Sequence, residues 1–218
     1  MRSSRIIRDA ASIGVATGIY AVSFGVLSVA AGFSVAQTCV MSLVAFTGAS
    51  QFTFVSVIGA GGGVAAALPP ALLLAGRNAI YALSLREVLA GGRRRQAVAA
   101  HLVIDESTAM AHAQPAAPDK RRAFLATGLA ILACWNAGTL AGALAGGALT
   151  DPRSLGLDAI FPAVFLALLV PQLGGRRAAG AALLGAATAL VLVPIAPAGV
   201  PVMASVLACV PFLRRRTP

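Results

Sequence analysis

Between Asp9 and Arg77 the chain carries no Asp, Glu, Lys, Arg or His. Soluble domains carry about 25% charged residues, and a run of this length without one has no place in a water-facing fold. A membrane-spanning helix needs only about 20 apolar residues, so this interval alone holds several candidates. Residues 123–150 and 178–213 are also free of charge. Of the 218 residues, 58% are hydrophobic and 11% charged, with mean hydropathy +0.86. The chain therefore reads as an all-α integral membrane protein. The expected architecture is a polytopic helical bundle of about seven hydrophobic segments, one or more of them broken or re-entrant. Linkers are tight and no polar region intervenes, so residues 1–218 read as a single transmembrane domain.

The net charge of +10 raises the question of nucleic acid, and its distribution answers it. The cations gather in clusters: Arg2, Arg5 and Arg8; Arg86 with Arg93–Arg95; Lys120–Arg122; Arg176 and Arg177; Arg214–Arg216. Each cluster flanks an apolar tract, as cytoplasmic loops do under the positive-inside rule. No aromatic residues interleave with them as base-stacking platforms. The expected contact is the anionic face of a lipid bilayer, not nucleic acid. Cys39, Cys134 and Cys209 stand singly in apolar tracts, without the spacing of a redox or metal pair. The basic N-terminus with its apolar run imitates a signal peptide, but the run is far longer than about 7–15 residues and reads as the first transmembrane helix.

That helix is expected over about Asp9 to Ala31, with Gly14-x-x-x-Gly18 as a close-packing face. Ser34 is a candidate N-cap for the second tract, Val35 to Ile58. Within it, Thr47-Gly48-Ala49-Ser50-Gln51-Phe52 combines small residues with a buried amide. One reading is a broken helix whose freed backbone groups meet a ligand. The other is a continuous helix in close contact with a neighbour. The third tract, Val64 to Leu89, is interrupted by Pro69-Pro70 and by Gly76-Arg77-Asn78. The basic clusters at Arg2–Arg8 and Arg86–Arg95 should share a side, yet three tracts separate them. One tract must then fold back, and the one carrying Ser50-Gln51 is the choice.

From Ala97 to His112 the spacing of His101, Asp105, Thr108 and His112 predicts an amphipathic helix with these four on one face. The next helix, Ala123 to Leu149, carries Trp135-Asn136 and Gly138-x-x-x-Gly142-x-x-x-Gly146, a second close-packing face. Asn136 is expected to bond a neighbouring helix. Asp158 is a candidate N-cap for Ala159 to Leu173, and Ala178–Ile195 with Gly199–Leu213 reads as a hairpin.

Ionisable groups at membrane depth are functional candidates by default. Arg77-Asn78 interrupts an apolar tract and suits a carboxylate or a gating ion pair; Tyr81 lies one turn on. Asp105-Glu106 suits an ammonium group, a proton, or neutralisation of Arg77. The alternatives are a snorkelling arginine and a solvated helix. His101, Asp105 and His112 lack the H-E-x-x-H spacing, and no metal or other cofactor is expected. Neither a nucleophile elbow nor a phosphate-binding loop occurs, so the chain does not read as an enzyme.

Several segments together resemble a known family: Phe46-Thr-Gly-Ala-Ser-Gln-Phe52, Arg77-Asn-Ala-Ile-Tyr-Ala-Leu-Ser-Leu85, Asp105-Glu-Ser107, Trp135-Asn-Ala-Gly-Thr139 and Gly156-Leu-Asp-Ala-Ile-Phe-Pro162. In this order they are similar to the AzlC-type branched-chain amino acid permeases, the large subunits of two-component exporters. The resemblance implies efflux of leucine, isoleucine and valine, with methionine as a further candidate. It also implies a small AzlD-type membrane subunit as partner and a multi-pass location in the cell inner (cytoplasmic) membrane. The family usually shows Arg-His-x-x-Tyr where this chain reads Arg77-Asn78-Ala79-Ile80-Tyr81, a loss that bears on proton coupling and substrate. A zwitterion needs an anion site, a cation site and an apolar pocket. Gly48, Ala49, Ser50, Gln51, Phe52, Arg77, Asn78, Tyr81 and Trp135 are the substrate-site candidates. Asp105 and Glu106 are the candidates for ion or proton coupling. A permease or channel for another small solute, and a scaffold subunit that transports nothing, are the competing classes.

Overall fold

The structure is a computed structural model, and it describes residues 2–147, 163, 166, 169, 170 and 173–213. Every regular element among the described residues is helical. Three helices are long and apolar enough to cross a membrane: α1 (Arg2–Ala30), α4 (Val64–Ser84) and α8 (Ala117–Gly146).

The centre of the molecule is the seam between α1 and α8. It is written in the small residues. Gly14 faces Ala130, Gly18 faces Cys134 and Gly138, and Val22 and Val26 face Gly142 and Gly146. Both numberings rise together, so the two helices run parallel. A methyl group on Gly138 or Gly142 would overlap the carbonyl oxygens of Gly18 or Val22, so only glycine lets the backbones approach this closely. The parallel arrangement also brings the basic starts of α1 and α8, Arg5–Arg8 and Lys120–Arg122, to one end of the seam, as the positive-inside rule demands.

The tract after α1 is not one helix. Ser34 caps α2 (Val35–Ala45) in a capping box, its hydroxyl accepting from the Gln37 N–H while Gln37 Oε1 accepts from the Ser34 N–H at 2.9 Å. The chain breaks at Phe46–Gly48 and returns as α3 (Ala49–Gly59). Gly48, at φ +62°, supplies the reversal, a conformation that costs a side-chain-bearing residue. The return is visible in the contacts. Phe54 lies 6.1 Å from Phe33 between ring centroids, and Gly59 sits against Ala31. Both ends of the α2–α3 hairpin therefore lie at the C-terminal end of α1, with the break at mid-height. This is the fold-back that the side count of the basic clusters requires.

From Gly63 helix α4 runs the other way through Pro69 and Pro70, and a short α5 (Arg86–Leu89) follows. The stretch expected to be one amphipathic helix is instead a second hairpin, α6 (Arg93–His101) and α7 (Asp105–His112), broken at Leu102–Ile104. Its break is closed by Ser107, whose hydroxyl accepts from the Ile104 N–H at 3.2 Å and lies 2.6 Å from the Leu102 carbonyl to which it donates. This hydroxyl satisfies backbone groups that the lost turn would otherwise orphan, so the four polar residues share no continuous helix face. Arg94 and Arg95 at the start of α6 border a groove with Arg121 and Phe124, in the first turns of α8. His112 at the end of α7 lies 3.1 Å from the Ser84 hydroxyl. The second hairpin thus enters from the basic end and returns to it.

Two further helices, α9 (Arg176–Leu192) and α10 (Val200–Cys209), pair as the expected hairpin. Cys209 donates to the Ala181 carbonyl at 3.2 Å. Gly199 brings the start of α10 against Ala66 and Pro70 of α4. The expected cap at Asp158 and the helix of residues 159–173 lie outside the described residues, apart from Ala163, Leu166, Leu169, Val170 and Leu173.

Candidate functional site

The two hairpins enter from opposite ends of the α1–α8 seam, and their breaks meet at mid-height. Phe46 of the first and His101 of the second are in ring contact at 5.5 Å. Beside them is a cavity of about 280 Å³. One wall is the middle of α1, at Ala16, Thr17 and Tyr20; the opposite wall is the middle of α8, at Ile131 and Trp135. The ends are the two breaks, Phe46–Ala49 and Ile104–Glu106, and Arg77 of α4 closes the side. Irregular backbone at this depth is tolerated where protein or a solvated cavity satisfies it, and both breaks meet that condition here.

Both returning helices, α3 and α7, point their N-termini at the cavity. First-turn N–H groups have no acceptor within their own helix and carry the positive end of the helix dipole. The first turn of α7 holds Asp105 and Glu106, whereas that of α3 holds no acid. The anion-seeking end is therefore α3, at Ala49 and Ser50. Arg77 Nη2 lies 2.8 Å from Asp105 Oδ2, and both side chains are about 30% exposed. The other carboxylate oxygen, Oδ1, is buried without a hydrogen-bond partner among the described residues, and so is Trp135 Nε1. Tyr81, one turn beyond Arg77, stands beside the same carboxylate. Glu106 follows Asp105 on the cavity wall.

Six of the sequence candidates line the cavity: Gly48, Ala49, Arg77, Asp105, Glu106 and Trp135. Others support it. Gln51, 2% exposed, accepts from the Gly48 N–H at 3.0 Å and the Thr47 N–H at 3.4 Å, and donates to the Met41 carbonyl at 3.1 Å. It braces the break from behind. Ser50 bonds Thr47. Phe52 stacks on Tyr20 at 5.2 Å and meets Phe24 and Trp135 edge-on, holding those rings in place. Asn78 is partly buried on α4 and lines no described cavity. Asn136 bonds the Leu132 carbonyl of its own helix at 2.8 Å, not a neighbour. Tyr20, Thr17 and Ile131 are cavity residues that sequence reasoning missed; in a uniformly apolar helix only their register against Trp135 marks them. Among the described residues no cluster of three metal-ligating side chains occurs.

Three long apolar helices, two opposed re-entrant hairpins and a charged cavity at their meeting point define a multi-pass helical membrane protein with a solute-sized site. The chain belongs to the AzlC protein family, whose model matches residues 12–149. It is a membrane permease. A relative from Archaeoglobus fulgidus, described as an uncharacterized membrane protein, is 33% identical over 172 residues, covering 78% of this chain and 75% of its own. No solved structure matches.

Proposed function

We propose that this permease exports branched-chain amino acids, leucine, isoleucine and valine with methionine as a further candidate, by alternating access driven by a proton gradient. It works as the large subunit of a complex with a small AzlD-type membrane protein in the inner membrane. The observation that carries this reading is the pairing of opposite charges with apolar walls in one small cavity at mid-height. Dedicated ligand pockets begin at roughly 300 Å³, so the cavity suits a solute of amino-acid size. The carboxylate is received by the α3 N-terminus and Arg77, and the ammonium by Asp105. The aliphatic side chain lies against Ile131, Phe46 and Tyr20. Glu106, beside Asp105 on the cavity wall, is the group placed to carry a proton with or against the substrate.

Proteoliposomes preloaded with radiolabelled leucine or valine test this, prepared with and without the small subunit under an imposed pH gradient. Gradient-dependent efflux from the two-chain vesicles is expected, reduced by Asp105→Asn. Absence of efflux from vesicles containing correctly inserted protein of both kinds overturns the substrate assignment.

A further inference from the structure

The Arg77–Asp105 ion pair occupies the position where a bound zwitterion would place its own two charges. It joins α4 to the first residue of α7 and lies on the cavity surface. Arg77 Nη2 meets Oδ2 at 2.8 Å with Tyr81 beside the same carboxylate, and Asp105 Oδ1 stays buried without a partner among the described residues. A carboxylate with one buried, unused oxygen has capacity for a further donor.

We infer that the bridge is an internal stand-in for the substrate: Arg77 and Asp105 hold each other while the cavity is empty and exchange partners when a zwitterion enters. The inference rests on the amino-acid reading above and adds a requirement to it, that a ligand must bring both charges. A zwitterion gives its carboxylate to Arg77 and its ammonium to Asp105, so no charge is stranded. A simple amine or a simple acid satisfies one partner and leaves the other uncompensated in a poorly solvated site, which is costly. The same exchange explains how the empty carrier changes state, because its two charges are mutually neutralised without substrate. It also couples occupancy to shape. The bridge ties the cavity end of α7 to α4, and His112 with Ser84 ties the far end, so splitting the bridge removes one of these ties.

Binding of three probes to the purified protein in nanodiscs tests the inference: leucine, 4-methylpentanoate (leucine without its ammonium) and 3-methylbutylamine (leucine without its carboxylate). The wild type should bind leucine at least about tenfold more tightly than either single-charge probe, the scale of one charge contact. R77Q and D105N are made in an E106Q background, so that Glu106 cannot replace Asp105 as a partner of Arg77. D105N should gain affinity for 4-methylpentanoate, and R77Q for 3-methylbutylamine, each by about tenfold. Wild-type binding of a single-charge probe as tight as that of leucine overturns the inference, whether or not the variants fold. So does the failure of both monodisperse variants to gain their probe. A wild type that ignores leucine, with both gains present, would overturn the branched-chain reading and leave the stand-in role supported.

Discussion

At the scale of single residues, Gln51 shows how a polar side chain in an apolar tract can be read in two ways. An amide at membrane depth must be satisfied, and substrate or backbone can do it. Here its two ends serve three backbone groups of the α2–α3 break. Gln51→Ala would orphan them, at about 1–3 kcal/mol for each group left buried, and thermal unfolding in detergent should show a loss of at least that order. Arg77, Asp105 and Glu106, which line the cavity, were legible as candidates because charge is expensive in a membrane. Tyr20 and Ile131 were not, since an apolar or aromatic residue facing a cavity is chemically identical to one facing a helix.

At the scale of elements, the seam between α1 and α8 was written openly in its glycines, and the second hairpin was hidden. Nothing at Leu102-Val103-Ile104 signals a break, for there is no Gly or Pro. The polar residues at 101, 105, 108 and 112 mimic a helix face because two short helices share the period of one long one. The break is imposed by tertiary structure: Leu102, Val103 and Ile104 are buried, and Ser107 closes the turn. The first hairpin was readable because Gly48 advertises a reversal and the arginine clusters demand one. For the seam the expected outcome is specific. Gly142→Ala should cost about 1–3 kcal/mol or more through overpacking, since its methyl would meet the Val22 carbonyl. Gly76→Ala, in the interior of α4 with no atom near its added methyl, should be stabilising by about 0.5–1 kcal/mol. Unfolding midpoints of the two variants separate a packing seam from general glycine intolerance.

For the whole molecule, the decisive property is that the hairpins enter from opposite ends and neither crosses. Each delivers a helix N-terminus to the cavity at mid-height. A permease needs two such barriers that yield in turn, and two short inserted hairpins are mechanically simpler to move than the glycine-locked pair α1 and α8. This arrangement fixes the side of each loop between α1 and α8. With the basic ends inside, the Gly59–Gly63 loop lies outside and the Gly91–Gly92 turn inside. Were α2 and α3 together one crossing, the two would exchange sides, because α4 crosses between them. Single cysteines at Gly61 and Gly92, placed in a background without Cys39, Cys134 and Cys209, distinguish the two in intact cells. A membrane-impermeant maleimide should label the Gly61→Cys variant directly and the Gly92→Cys variant only after permeabilisation. Protection of the Gly61→Cys variant together with direct labelling of the Gly92→Cys variant in intact cells would mean that the first hairpin crosses, and the mid-height meeting of the two breaks would have to be abandoned.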